Sequence, residues 1–275
     1  MIESRRALRR APPVTLAGLA AVAWMGLSCR GEAAAPAAGA ASPVEPRSLT
    51  VEVRAAHPHD PGAFTQGLLW HGGFLYESVG QYRSSELREV ELPTGRVVRR
   101  RRLPDSRFGE GLARTRERLV QLTWRSGEAW FWDPETLERR EIGTYRGEGW
   151  GLCYDGRRLV RSDGTDRLTF HHSRSFAELG SLRVTRAGRP QMLLNELECV
   201  DGAVYANVWQ SDEIVEIDPG SGAVTAVIDA SGLLTEEERR GVDVLNGIAH
   251  DPERGVFYLT GKYWPRLFEV VFGPS

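Results

Sequence analysis

The chain has 275 residues, 41% of them hydrophobic, and its 35 basic and 37 acidic residues leave a net charge of −2. That is enough material for one sizeable globular domain, and the even charge balance gives no reason to expect nucleic acid or an acidic lipid surface as a partner. Lys262 is the one lysine in the chain, so every other basic residue is arginine; a GC-rich coding sequence produces such a bias but does not say why one lysine survives.

In chain order, the first segment reads as an export signal rather than part of the fold. Arg5, Arg6, Arg9 and Arg10 form a positive stretch, followed by an apolar one from Val14 to Leu27 that is too short to span a bilayer comfortably. Gly26-Leu27-Ser28-Cys29 resembles the lipobox of bacterial lipoproteins, with Gly26 where leucine is usual. Residues 1–29 are therefore expected to be a signal with Cys29 as the lipidation site, ordinary signal cleavage being the alternative. Ser4-Arg5-Arg6 is also a partial twin-arginine match. Residues 30–48, rich in Ala, Pro and Gly, read as a flexible tether. The expected location is periplasmic, free or anchored to the membrane through Cys29, and no other membrane contact is implied.

From residue 49 to residue 275 a five-fold repeat organises the chain. Its copies open on Gln66-Gly67-Leu68, Glu110-Gly111-Leu112, Trp150-Gly151-Leu152, Asn195-Glu196-Leu197 and Asn246-Gly247-Ile248, in steps of 44, 40, 45 and 51 residues. After each opening comes a Gly-rich or charged turn and a β-type run such as Leu119 to Leu122 or Val256 to Leu259, the pattern of an antiparallel hairpin. A third strand follows, clearest in Ala129 to Trp132 and Glu213 to Ile217. A period of about 40–50 residues built from short strands is that of propeller blades, each too small to bury its own apolar face. The expected fold is all-β, a five-bladed β-propeller. The last repeat lacks a fourth strand and Leu49 to Arg54 lacks a blade, so the N-terminal strand is expected to close the last blade and remove two open edges. A short helix is expected around Leu234 to Arg240, where Thr235 and Glu238 have the spacing of a capping box.

In a propeller the first strand of each blade lines the axis, so the start of that strand and the end of the second meet at one mouth of the channel. The first position holds Gln66, Glu110, Trp150, Asn195 and Asn246; the second holds Gly80, Trp124, Gly164, Trp209 and Lys262. Three indoles, a carboxylate, an ammonium, three carboxamides and two gaps would face one another there. Blade packing alone does not call for that mixture, although Trp130 and Trp132, away from these positions, read as packing residues. Cys153 and Cys199 fall in the same part of two neighbouring repeats. An exported chain permits a disulfide, but equivalent positions on adjacent blades are expected to exceed its reach, so free buried thiols are the expectation. The sequence has no His/Cys cluster of zinc-ligand spacing and implies neither a metal nor another cofactor.

At these positions the chain resembles the glutamine cyclotransferase family, the plant and bacterial type of glutaminyl-peptide cyclotransferase, from about Val51 to Phe272. The resemblance is carried by His57-Pro58-His59-Asp60, Phe64-Thr65-Gln66-Gly67-Leu68, Phe108-Gly109-Glu110-Gly111-Leu112, Gln121-Leu122-Thr123-Trp124 and Gly147-Glu148-Gly149-Trp150-Gly151-Leu152. It continues in Leu194-Asn195-Glu196-Leu197-Glu198, Tyr205 to Gln210, Asp243 to Ala249 and Thr260-Gly261-Lys262. It implies a five-bladed propeller and cyclisation of an N-terminal glutamine to 5-oxoproline with loss of ammonia. By the same resemblance Glu110 is the acid and base, Lys262 and Asn195 are polar catalytic groups, and Gln66, Trp124, Trp150 and Trp209 bind substrate; Asn246 is expected to join them from its place in the first set of positions. The implied partners are peptides or proteins beginning with glutamine, handled by a monomer. His171-His172, where an Asp-Pro turn would fit, is a peripheral departure. The direction of any shift in Glu110's pKa stays open, because burial against indoles raises it and Lys262 lowers it. A non-catalytic envelope propeller that binds a peptide or protein is the competing reading; a metal-dependent lactonase would need several carboxylates where only Glu110 stands.

Overall fold

The computed structural model describes residues 45–275. The expected signal, Cys29 and the tether up to residue 44 lie outside the described residues. Among the described residues the chain is all-β, and no helix is formed.

Strand β1 (Arg47–Pro58) is followed by a four-stranded antiparallel unit of β2 (Thr65–His71), β3 (Phe74–Val79), β4 (Glu86–Glu91) and β5 (Arg96–Arg102). The second unit comprises β6 (Gly109–Arg114), β7 (Leu119–Thr123), β8 (Glu128–Trp132) and β9 (Arg139–Thr144). The third comprises β10 (Leu152–Tyr154), β11 (Arg158–Arg161), β12 (Arg167–His172) and β13 (Glu178–Arg183). A short ribbon of β14 (Thr185–Arg186) and β15 (Arg189–Pro190) leads to the fourth, β16 (Leu194–Val200), β17 (Ala203–Val208), β18 (Glu213–Ile217) and β19 (Val224–Asp229). Last come β20 (Leu245–Asp251), β21 (Val256–Gly261) and β22 (Arg266–Pro274). The missing fourth partner of this group is β1, which runs antiparallel to β22 from Leu49 against Pro274 to Pro58 against Arg266. Its first residues also pair in parallel with β19, Arg47 opposite Ala226, so the fourth and last units share one eight-stranded sheet.

The apolar residues show why no unit stands alone. Leu69, Tyr76 and Leu87 of the first unit pack with Leu112, Trp130 and Trp132 of the second. Val120 and Phe131 of the second pack with Leu159 and Phe176 of the third, and Cys153 and Val160 of the third with Val204 and Val215 of the fourth. Ile214 and Ile228 pack with Leu259 and Trp264, and Leu267 and Tyr258 return to Leu68 and Leu75. Each apolar cluster thus lies between two neighbours and the series closes on itself. Trp130 and Trp132 are packing residues, as the sequence suggests.

The first strands β2, β6, β10, β16 and β20 touch in that order, and β20 touches β2. The repeated glycine follows from this closeness: a Cβ on Gly111 would lie 2.5 Å from the Leu152 nitrogen, and one on Gly151 2.0 Å from the Asn195 oxygen. The fourth repeat has Glu196 in that place. Its side chain reaches across instead and accepts the amides of Leu68 (3.2 Å) and Ile248 (2.8 Å).

Two expectations are corrected. Cys153 and Cys199 form a disulfide with Cα atoms 5.4 Å apart; the glycine-lined contact between β10 and β16 brings these strands within reach, which equivalent positions on a wider ring would not allow. The segment around Leu234 to Arg240 is a run of turns rather than a helix. Its capping box does form, Thr235 and Glu238 bonding each other's amides at 3.1 and 3.2 Å, but no sustained helical ladder follows.

Candidate active site

Four first strands enter their hairpins through a register shift that spans the X-Gly step: Thr65/Gly67, Gly109/Leu112, Leu194/Leu197 and Leu245/Ile248. Such a bulge leaves one residue unpaired and re-aims its side chain. Gln66, Glu110, Asn195 and Asn246 are those residues. In the third unit β10 begins only at Leu152, so Trp150 also stands outside the ladder.

The second set of positions is tied to the first by a recurring hydrogen bond. The amides of Gly80, Trp124, Trp209 and Lys262 donate to the carbonyls of Phe64, Phe108, Leu193 and Val244, each two residues before a bulged residue, at 2.8 to 3.0 Å. Lys262 is fixed further by Asp243, whose amide donates to its carbonyl at 2.9 Å. The third unit breaks the rule: the carbonyl of Glu148 accepts the buried guanidinium of Arg161, and Gly164 bonds Leu194 instead. Gly164 has φ +79° and lies against the Trp150 ring, where a Cβ would sit 2.7 Å from the indole. Gly80 makes room for Phe108 in the same way.

The positions converge on a cavity of about 320 Å³ lined by Gln66, Glu110, Asn195, Lys262 and the indoles of Trp124, Trp150 and Trp209. Phe64, Gln81 and Phe108 complete its wall. Trp150 and Trp209 meet edge to face at 5.4 Å, and Phe108 leans on Trp124 at 5.5 Å. Glu110 is buried, with one carboxyl oxygen taking the Gln66 amide at 2.9 Å. Asn195 is buried as well, and its backbone carbonyl is held by Ser162 at 2.6 Å. The Lys262 ammonium lies 4.7 Å from the centre of the Phe64 ring.

Burial raises the Glu110 carboxyl well above the ordinary carboxylate range; Lys262 and the Gln66 hydrogen bond pull it down and Glu148 pushes it up, so desolvation wins. Burial likewise lowers Lys262, against the attraction of Glu110 and Asp243. An acid made weaker and an ammonium made less willing to hold its proton face one cavity, which is the environment in which proton transfer near neutral pH becomes accessible.

Seven of the eight residues singled out in the sequence line this cavity. Asn246 does not: it sits fully buried behind Gln66, donating to the Thr65 carbonyl (2.9 Å) and the Gln66 side-chain oxygen (3.2 Å). It fixes Gln66 rather than meeting a ligand. Sequence reasoning missed Phe64, Phe108, Gln81 and Glu148. The first, second and fourth of these share one signal, a place two residues before the X of the X-Gly-Leu step, which the repeat contains.

Comparison with known proteins gives the family. A family model described as glutamine cyclotransferase matches residues 22–272. The chain belongs to the glutamine cyclotransferase family. A glutaminyl-peptide cyclotransferase of Arabidopsis thaliana is 36% identical over 274 residues, covering 98% of this chain and 84% of the relative. The crystal structure of Myxococcus xanthus glutaminyl cyclase matches with a TM-score of 0.76 and 44% identity, covering 83% of this chain and 98% of that one. In this chain, Gln66, Glu110 and Lys262 stand together around one cavity whose wall is largely aromatic.

Proposed function

We propose that this member of the glutamine cyclotransferase family is a glutaminyl-peptide cyclotransferase, turning an N-terminal glutamine into 5-oxoproline on a five-bladed propeller. The propeller reading is supported by the five four-stranded groups, their closed series of apolar contacts and the ring of first strands. The observation that carries the function is Glu110: a buried carboxyl with a raised pKa, anchored by Gln66 at 2.9 Å, in a cavity that Lys262 and three indoles share.

In the reaction the substrate's α-nitrogen attacks its own side-chain amide carbon. A C–N bond forms, the bond to the amide nitrogen breaks, and ammonia leaves. Glu110 takes the proton from the attacking nitrogen and delivers it to the departing one, so a single carboxyl serves as base and then acid. The attacking amine must be neutral and Glu110 ionised at the start, and the amine's reference pKa of roughly 7.7–8 leaves an appreciable neutral fraction near neutral pH. Lys262 and Asn195 donate to the amide oxygen as it gains charge, a contribution typically of about 2.7–4 kcal/mol per donor. The indoles hold the five-atom chain folded for closure and keep water away from it. Gln66 orients Glu110, and Asn246 orients Gln66.

The Cys153–Cys199 disulfide and the N-terminal pattern of residues 1–29 support export, with Cys29 as the anchor and the catalytic domain beginning near residue 49. The functional test is to incubate the purified protein with a Gln-initiated peptide, with and without excess chelator, and to follow ammonia and the loss of one ammonia mass from the peptide. Turnover that persists in chelator is expected. An unaltered peptide would leave a binding propeller, and a rate abolished by chelator and restored by added zinc would demand a metal site.

A further inference from the structure

The third unit departs from its neighbours in a way that the reaction as derived does not use. Two residues before their bulges, the first and second units place Phe64 and Phe108 in the cavity wall; at the equivalent position, two residues before Trp150, the third carries Glu148. Its main chain is fixed: Arg161, itself buried, donates to the Glu148 carbonyl, and the next amide, that of Gly149, bonds the Trp124 carbonyl at 3.0 Å. One carboxyl oxygen of its side chain receives two indoles, Trp124 Nε1 at 2.7 Å and Trp150 Nε1 at 3.0 Å. The other oxygen takes Arg125 Nε at 2.8 Å, and the Arg125 guanidinium lies over the Trp124 ring, 3.8 Å from its centre. The side chain keeps 35% of its surface exposed, so its charge stands at the rim rather than inside the wall.

Two N–H groups from different units converging on one oxygen is a clamp. Charge-assisted bonds of this kind are roughly twice as strong as neutral ones, and each indole, with two side-chain torsions, is fixed in both position and facing by its bond. Because both indole N–H groups are spent on Glu148, neither is free to bind substrate; the rings offer only their faces and edges to it. The carboxylate is also the second acid near Glu110 and opposes that group's ionisation. Hydrogen bonds from Trp150, Arg125 and Trp124 outweigh Glu148's own partial desolvation and keep it ionised, with its pKa below the ordinary range.

We propose that Glu148 is a positioning residue of the cyclisation: it locks Trp124 and Trp150 around the folded glutamine side chain and sets a fixed negative charge at the mouth that tunes Glu110. The inference rests on the cyclotransferase reading of the same cavity. Glu110 is faced by Lys262, Glu148 and the neutral Gln66, with the Tyr145 hydroxyl nearby. Glu148 is faced by Arg125 and the two indoles. Removing the Glu148 charge therefore lowers the Glu110 pKa, and the acid limb of the kcat/KM profile moves to lower pH.

The two parts separate in two variants. Glu148→Gln keeps an oxygen for the indoles but has no charge. Glu148→Ala has neither. Ammonia release from a Gln-initiated dipeptide is measured across pH for both and for the parent, with thermal melts and near-ultraviolet circular dichroism alongside. The alanine variant is expected to lose roughly tenfold in kcat/KM, the scale of a lost positioning contact, with an altered aromatic dichroism band. The glutamine variant is expected to lose about threefold, keep the parent band, and show the acid limb displaced downward. An alanine variant whose band and kcat/KM match the parent overturns the clamp, and an unmoved acid limb in the glutamine variant overturns the tuning. The dichroism comparison reads the clamp even if the parent releases no ammonia, the outcome that would sink the cyclotransferase reading separately.

Discussion

Gln66 donates its side-chain amide to one oxygen of Glu110 at 2.9 Å, across the contact between two repeats 44 residues apart. Its own oxygen accepts Asn246, so three repeats contribute in series to the orientation of one carboxyl. That bond engages one of the two Glu110 carboxyl oxygens. Glu110→Gln retains the shape and an acceptor for Gln66 but cannot move protons. Its kcat is expected to fall by about two orders of magnitude, the usual range for an acid–base group, with KM changed far less. Steady-state ammonia release checks this; turnover within a few-fold of the parent would remove Glu110 from the proton path.

Two acids away from the cavity, Glu196 fully buried and Glu198 partly so, also set a pH dependence of stability. Burial raises Glu198 to about 8, opposed by the His250 and Cys199 amides, and burial together with Glu198 raises Glu196 well above the carboxylate range. Where the folded pKa exceeds the unfolded one, the unfolded chain releases its proton first, so the folded state loses stability as pH rises between the two values. For Glu198 that window runs from its ordinary value of 4.5 to about 8. Glu198→Gln, which can still accept the His250 amide, is expected to melt higher than the parent at pH 8 and indistinguishably from it at pH 4.5. Melting curves at the two pH values decide it, and an equal difference at both would show that the effect is packing rather than ionisation.

The disulfide closes a loop of sequence separation 46 between neighbouring units. Chain-entropy reasoning for a loop of that length gives about 4 kcal/mol, and native disulfides typically contribute about 2–4. Replacing both cysteines by serine is expected to lower Tm by roughly 5–15 °C while leaving kcat/KM near the parent value, since neither sulfur faces the cavity. Calorimetry of the oxidised parent and the double variant measures this. A Tm unchanged within error would mean that the unfolded chain gains nothing from release.

The repeat was legible because its cause is local and recurs: a glycine wherever neighbouring first strands nearly touch, a bulge at the residue before it, and a hairpin turn after it. The repeat placed seven residues of the cavity wall in the sequence and marked Gly80 and Gly164 as gaps; that aromatic rings fill those gaps is seen only in the structure. What could not be read was distance across the ring. The free-thiol expectation for Cys153 and Cys199 failed because the approach of β10 to β16 is set by Gly151 packing on Asn195, a contact with no signature in spacing alone. Asn246 shares the bulge of Gln66 and Glu110, yet it turns toward the Thr65 carbonyl and Gln66, because a buried carboxamide takes the nearest partners. Glu148 was passed over for the opposite reason. It lies outside both sets of positions; its place two residues before Trp150 is in the repeat, but what it does there shows only once two indoles from different units are seen to share its oxygen.

Lys262 is the only lysine of the chain, and it is buried in the cavity with its ammonium 4.7 Å from the centre of the Phe64 ring. Its backbone is locked at both ends, the amide to Val244 at 3.0 Å and the carbonyl to Asp243 at 2.9 Å, so the side chain's reach alone decides where the charge sits. A coding bias that supplied arginine everywhere else would have supplied it here had charge alone been needed. A compact ammonium on a flexible stem fits between Phe64 and Glu110, whereas a planar, forked guanidinium needs more width and cannot lose its proton. Burial lowers the Lys262 pKa, so lysine keeps open a protonation change that arginine forbids. Lys262→Arg is expected to keep Tm within a few degrees yet lower kcat/KM at least tenfold, about 1.4 kcal/mol of transition-state stabilisation. The measurement is ammonia release from a Gln-initiated dipeptide by both proteins, with melts run in parallel. An arginine variant as active as the parent would show that the site asks only for positive charge, and one that fails to fold would make the role of Lys262 structural.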